Sequence, residues 1–300
     1  MSLADSGLVI VDKPAGMTSH DVVGRLRRIY QTRKVGHAGT LDPMATGVLV
    51  AGIERGTKFL AHLGSESKTY EARVRLGATT STEDAEGELL STASPDALGT
   101  LSERAIHTAA EAFRGDILQR PSAVSAIKIN GKRAYQRVRE GEDVEIPPRP
   151  VTIHELEISD ITPGPEFWEL SMLVSCSSGT YIRALARDLG EALGVGGHLR
   201  SLRRTRVGAF TIDDAHTLEE LADSPTPPLL GLDEALPRCY PTLDVTEAEA
   251  RKLSLGQWLE PRGLDGTHAA VDPKGHAIAL VAEQGRRLST VFVARPATLS

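Results

Sequence analysis

GHAGTLDPMATGVLV, residues 36–50, sets a single acid, Asp42, in a run of small, hydroxylic and apolar residues. A solvated loop tolerates many acids, whereas a site built around one acid needs tight turns and few competing charges. Asp42 precedes Pro43, and the residue before a proline is biased away from helix toward extended backbone. Such a step can hold a carboxylate on a rigid loop tip. It equally suits an Asx-turn, in which the carboxylate serves its own backbone.

Upstream, LVIV at 8–11 reads as a buried strand that ends in the turn DKPAG. Ser19 then reads as the N-cap of a helix with Val22, Val23, Leu26 and Ile29 at helical spacing and Arg25, Arg27 and Arg28 opposite. Downstream, KTYEARVRLG alternates: Tyr70, Ala72, Val74 and Leu76 face one way and Glu71, Arg73 and Arg75 the other, the pattern of a half-buried strand. Thr100 followed by Glu103 resembles a capping box before a helix bearing Leu101, Ile106, Ala109, Ala110 and Phe113, with Gly115 as its stop. WELSMLVSC, residues 168–176, reads as a strand, and SSGTYIRALARDLGEALG turns from it into a helix with Ile182, Leu185, Leu189 and Leu193 as its buried stripe.

Residues 118–150 differ in texture, with prolines at 121, 147, 148 and 150 and a basic run, KINGKRAYQRVR, carrying Tyr135. The segment suits a surface hairpin or an arm that clamps a ligand. ADSPTPP, residues 222–228, reads as a linker, and beyond about residue 240 a helix, EAEARKLSLG, and the strands AIALVAE and STVFVAR make a small β-rich region. Strands and helices mix without a βαβ rhythm, which predicts an α+β fold with a mixed, mainly antiparallel central sheet flanked by helices. A chain of 300 residues with 40% hydrophobic content fits one large and one small domain.

The 34 Lys and Arg against 40 Asp and Glu give a net charge of -6, but the charges are segregated. Lys13, Arg25, Arg27, Arg28, Arg33 and Lys34 cluster in one stretch, and six basic residues against two acidic ones lie between Arg183 and Arg206. From Thr211 to Glu249 ten acidic residues face Arg238 alone. An electropositive face on an acidic protein keeps a polyanion partner in play. Cys176 and Cys239 form neither a disulfide framework nor a metal knuckle, and no leader-like or membrane-length apolar run occurs. A cytoplasmic protein without a membrane span is expected. No HxxxH, HExxH, GxxxxGK[ST] or GxSxG pattern is present, so neither a metal site, nor a phosphate loop, nor a nucleophile elbow is indicated.

GHAGTLDPMATGVL resembles the signature of the TruB family of pseudouridine synthases. LVIVDKPAGMTSHDVV, KTYEARVRLG, RPSAVSAIKINGKRAYQRVREG, CSSGTYIRALARDLG and HLRSLRRTRVGAF support the likeness by order and spacing over most of residues 8–212. The resemblance implies a pseudouridine synthase catalytic domain at 1–238, with a thumb-like RNA-binding insertion at about 118–150, and a small PUA-like domain at 239–300. It implies isomerisation of uridine 55 in the T loop of transfer RNA, with the base everted from its stack, no metal and no cofactor. Asp42 corresponds to the catalytic aspartate, Arg183 to its partner, and Tyr70 to the tyrosine that stacks on the uracil. His37 would fill the space left by the everted nucleotide. Lys13 and Lys58 would lie near the site or its RNA, and Tyr181 and Leu202 would line the pocket, where core packing is the alternative. The partner implied is transfer RNA, through its T arm and possibly its acceptor end, bound by a monomer. A transfer RNA folding module with secondary isomerase activity is the competing reading.

Overall fold

The computed structural model describes residues 3–64, 66–122, 128–129, 132–133 and 146–299. They fall into two compact units: the chain up to Pro43 with Gly47–Gly64 and everything from Val207 onward, and Met44–Thr46 with Ser65–Arg206.

In the first unit the strand Thr46–Ile53, TGVLVAGI, is buried along almost its whole length. Its neighbours are Gly7–Lys13, antiparallel from Gly7↔Ile53 to Lys13↔Gly47, and Val35–Ala38, antiparallel from Val35↔Ile53 to Ala38↔Val50. Both faces of this sheet are covered, which is why its strands read as continuous apolar runs. Val9, Val11, Leu49 and Ala51 pack on Val22, Val23 and Leu26 of the helix Ser19–Ile29 and on Leu218 and Leu221 of the helix Leu218–Asp223. Leu8, Ile10, Val48 and Val50 join Phe59, Phe210, Leu236, Leu280 and Phe292 on the other face.

The C-terminal sheet runs Thr242–Asp244, Thr267–Val271, Ala277–Gln284, Arg287–Val293, with the first pair parallel and the rest antiparallel. Ala270, Ala279, Val281 and Leu288 pack under the helix Glu247–Ser254, while Leu280 and Phe292 enter the core around Phe59. Phe59 stacks on Phe292 at 5.9 Å between centroids, and Arg55 donates to the carbonyls of Val293 and Ala294. Close backbone approach makes this packing possible: a Cβ on Gly56 would lie 1.9 Å from Gly7 O, and one on Gly52 would lie 2.6 Å from the Gly56 carbonyl carbon.

The second unit orders its strands Gly197–Val207, Lys68–Leu76, Trp168–Cys176, Arg149–Thr162, Gly115–Gln119. Lys68–Leu76 pairs antiparallel with Trp168–Cys176 from Lys68↔Cys176 to Leu76↔Trp168, and Arg149–Thr162 pairs antiparallel with both of its neighbours. The alternation expected for KTYEARVRLG is observed, with Tyr70, Ala72, Val74 and Leu76 buried. The helices Glu103–Glu111 and Ile182–Ala192 belong to this unit. Of the 118–150 segment, Lys128–Ile129 pairs with Lys132–Arg133, whereas Tyr135 lies outside the described residues.

Two expected caps are corrected. Thr18, not Ser19, caps the first helix, because its hydroxyl accepts from Asp21 N–H while the Asp21 carboxylate accepts from Thr18 N–H. Ser102, not Thr100, caps the helix Glu103–Glu111, while Thr100 closes the preceding helix Pro95–Gly99 by donating to Ala97 O. ADSPTPP is tied back to the first helix, where the Tyr30 hydroxyl donates to Pro228 O at 2.5 Å.

Phe59→Ala is expected to cost about 3–5 kcal/mol, read from the urea midpoint; a loss below about 1 kcal/mol would remove Phe59 from the core. A pH dependence follows from Asp214. Burial pushes its carboxyl up, but bonds from Arg238 and Thr211 outweigh that and hold it below its ordinary 3.8. Because the folded value is depressed, this contribution to stability is present above the unfolded value and is lost as pH falls through the folded one. Asp214→Asn is therefore expected to lower stability at neutral pH and to flatten its decline in acid, measured by urea titration at each pH. Parallel acid profiles for the two proteins would contradict the assignment.

Candidate active site

Asp42 is half-buried on the loop between the strands Val35–Ala38 and Thr46–Ile53, and the residues on either side of it are pinned. Leu41, 3% exposed, donates its N–H to Ser19 Oγ at 2.9 Å, and the same hydroxyl donates to Leu41 O at 3.2 Å. Pro43 O accepts from Gly16 N–H at 2.9 Å and from Lys13 Nζ at 3.2 Å. Gly16 reaches that position at φ +79°, backbone that favours glycine. The Lys13 side chain is fully buried, and its ammonium also donates to Pro14 O at 2.8 Å and Met17 O at 2.7 Å. An ammonium has three protons to give, and these three carbonyls match them. These bonds tie Lys13 to the loop that carries Asp42.

His37, also half-buried, lies opposite Ala51 in the strand Val35–Ala38. Lys58 is exposed on the helix Gly56–Phe59, one residue before the buried Phe59. In this unit the fold brings Lys13 and the Asp42 loop together through Pro43, with His37 on the strand that leads into the loop.

The second unit holds the other four expected residues. Tyr70, 7% exposed, stands opposite Val174, and Leu202, also 7% exposed, lies on the neighbouring strand Gly197–Val207. Tyr181 is the N-cap of the helix Ile182–Ala192, which places Arg183 in its first turn. Arg183 is buried, and its Nη1 donates to Thr82 O at 2.8 Å and Ser122 Oγ at 3.4 Å and lies 3.7 Å from Asp84 Oδ2. Next to it, Arg187 pairs with Glu83 at 2.6 Å and with Asp188 at 2.8 Å. The basic strand keeps Arg200 and Arg206 exposed and buries Arg204.

Asp84, Ser122 and Gln119 were not singled out from sequence, and Ser19 was read there only as a helix cap. For Asp84 a local signal existed: STEDAEG is a polar turn, and Asp84 Oδ1 accepts from Glu86 N–H at 3.1 Å as in an Asx-turn. Ser122, Gln119 and Ser19 acquire their partners across 61, 62 and 22 residues, which no local pattern encodes. Among the described residues no group of three or more His, Cys, Asp or Glu is placed to hold a metal ion, and no helix is long and apolar enough to cross a membrane.

The fold resembles a solved Cbf5-Nop10-Gar1 complex with a TM-score of 0.72 at 26% identity, covering 98% of this chain and 86% of that one. The α+β architecture is therefore a pseudouridine synthase fold. Sequence models match in three consecutive blocks: TruB family pseudouridylate synthase (N terminal domain) over residues 27–182, tRNA pseudouridylate synthase B C-terminal domain over 183–227, and tRNA Pseudouridine synthase II, C terminal, over 240–295. The tRNA pseudouridine synthase B of Corynebacterium diphtheriae is 64% identical over 298 residues, with 99% of each chain covered. That of Rhodococcus jostii is 55% identical over 298 residues, covering 99% of this chain and 96% of its own. The chain belongs to the TruB family of pseudouridylate synthases.

Ser19→Ala removes the hydroxyl that both accepts from and donates to Leu41. It is expected to destabilise the protein by about 1–3 kcal/mol, the cost of buried polar groups left unbonded, and to speed hydrogen exchange at the Leu41 amide. Unchanged exchange at Leu41 would show that Ser19 does not hold the loop.

Proposed function

We propose that the chain converts uridine 55 in the T loop of transfer RNA to pseudouridine, with Asp42 as the catalytic carboxylate. Pseudouridine formation in transfer RNA follows from family membership and from relatives named tRNA pseudouridine synthase B. The observation that carries the finer reading is the pinned loop: Leu41 and Pro43 are both anchored, so the acid between them is held without support from the substrate. A preorganised group avoids the cost of reorganisation during the reaction.

The isomerisation balances internally. The N1–C1′ bond breaks, the uracil turns, a C5–C1′ bond forms, the C5 proton leaves and N1 gains one. No oxidant, reductant or energy donor is consumed. The Asp42 carboxylate acts in its ionised form, either as nucleophile toward the base or sugar or as the base that takes a ribose proton. Arg183 partners it, and Tyr70 stacks on the uracil with Tyr181 and Leu202 beside it. Eversion of the base costs a few kcal/mol of lost stacking, and His37 fills the vacated position. Lys58, exposed beside a buried core residue, suits contact with phosphate, and Lys13 serves the Asp42 loop.

The rest of the reading concerns the substrate's reach and the protein's setting. The 118–150 segment, of which residues 123–127, 130–131 and 134–145 lie outside the described residues, would contact the T arm, recognising RNA by shape more than by duplex sequence. A catalytic region at 1–238 and a small C-terminal region at 239–300 agree with the last family block beginning at residue 240. The protein would act as a monomer in the cytoplasm.

Asp42→Asn is expected to lower conversion of an unmodified T-arm stem-loop by at least about 10³-fold while leaving its affinity nearly unchanged, with every converted uridine mapped chemically. A folded Asn variant that still converts the T-loop uridine would remove Asp42 from the chemistry. Wild-type conversion spread over several uridines would overturn the site specificity.

A further inference from the structure

The strand Gly115–Gln119 turns Leu118 outward, 74% exposed, and Gln119 inward, 2% exposed. An amide at an inward strand position costs free energy unless its polar atoms are bonded. Both ends of this amide are bonded, and to a single residue. Gln119 Nε2 donates to Tyr181 O at 3.1 Å, and Tyr181 N–H donates to Gln119 Oε1 at 2.8 Å.

Tyr181 is the N-cap of the helix that carries Arg183, its backbone is extended at φ −105° and ψ 109°, and its own side chain makes no cap hydrogen bond. Helix starts need outside partners for their unpaired backbone groups, and this one is gripped by a side chain from another strand. The N–H and C=O of Tyr181 belong to the two peptide groups flanking its Cα, so the one amide holds both of them, and Tyr181 O also accepts from Leu185 N–H at 3.1 Å as the helix begins. The following residues reinforce the grip: Arg187 Nη2 donates to Arg120 O at 2.7 Å, and Ser122, 1% exposed, accepts from Arg183 at 3.4 Å. Residues 119–122 thus hold the N-cap, the first turn and the second turn of the helix.

We infer that Gln119 is a positioning residue for the isomerisation: its amide clamps the Tyr181 backbone and thereby sets where Tyr181 and Arg183 stand toward the reacting uridine. The inference rests on the proposed activity and on Arg183 as a catalytic group. Gln119 itself touches no reacting atom. Displacing a reacting group by about 1 Å lowers rates on the order of 10²-fold, which sets the size of the effect.

Gln119→Met keeps length and bulk and removes both bonds; Gln119→Glu keeps the oxygen that accepts from Tyr181 N–H and loses the donor to Tyr181 O. In Gln119→Met the Tyr181 amide is expected to exchange at least about tenfold faster, with exchange in residues 277–293 unchanged. Single-turnover conversion of a T-arm stem-loop is expected to fall on the order of 10²-fold with affinity retained, and Gln119→Glu to fall between Met and wild type. In an Arg183→Lys background, Gln119→Met is expected to cost less than about threefold more, because coupled residues are not additive. The inference is overturned by wild-type conversion in Gln119→Met, by unchanged exchange at Tyr181, or by a loss that multiplies in full with Arg183→Lys. Should the Met variant not fold, the same comparisons with Gln119→Glu decide. A wild-type chain that converts no T-loop uridine overturns the activity and this inference with it, a result distinct from an active wild type matched by an equally active variant.

Discussion

A lysine ammonium turned inward onto three backbone carbonyls is the contact on which the Asp42 loop depends. Removing a cation from water costs several kcal/mol, and charge-assisted hydrogen bonds in matching number offset it. For Lys13 those bonds reach Pro14, Met17 and Pro43, so one side chain ties the turn after the first strand to the loop that holds Asp42. Gly16 and Ser19 extend the tie to both sides of the acid. The anchoring of the Asp42 loop thus comes from polar groups that the first strand and first helix carry, and the buried strand beneath them provides the base.

The second unit solves a similar problem with different groups. Arg183 donates to the Thr82 carbonyl at 2.8 Å, and the Asp84 carboxylate lies 3.7 Å away. A carbonyl fixes direction and leaves the guanidinium its full charge, whereas the nearby carboxylate balances part of that charge in a buried setting. The helix start that delivers Arg183 is fixed in turn from the strand Gly115–Gln119. Thr82 and Asp84 lie in one polar turn, so the guanidinium is met by a single loop and the helix start by a different strand.

Hydrophobic periodicity made most strands and the main helices legible, because burial acts on every second or every third to fourth residue wherever the partner lies. Tyr70 to Leu76 and Trp168 to Cys176 are read from the chain alone for that reason. Helix caps were less legible. Thr18 and Ser19 are adjacent hydroxyls, and the one that caps is decided by Asp21 three residues beyond Thr18, while the other is drawn away to Leu41. Thr100 and Ser102 present the same ambiguity. Family resemblance supplied Asp42, Tyr70 and Arg183 as candidates, but the supports around them, Ser19, Gln119 and Ser122, look like ordinary polar residues until distant partners arrive.

The acidic run from Thr211 to Glu249 shows how a charge pattern can be local in origin. Asp214, Glu220 and Glu249 each sit three residues after a threonine and accept its backbone N–H, closing the capping boxes at Thr211, Thr217 and Thr246. Asp233 accepts from Ala277 N–H and pairs with Arg295 at 2.7 Å, joining the helix Leu232–Cys239 to the C-terminal sheet. Four of the ten acids are thus committed to helix starts and to docking the sheet whose Phe292 packs on Phe59. Their charge follows from building short helices in quick succession, where negative side chains are favoured at N-termini. Asp233 bonds the C-terminal sheet directly, through Ala277 N–H, and Leu280 and Phe292 of that sheet share a core with Phe59 on the helix Gly56–Phe59.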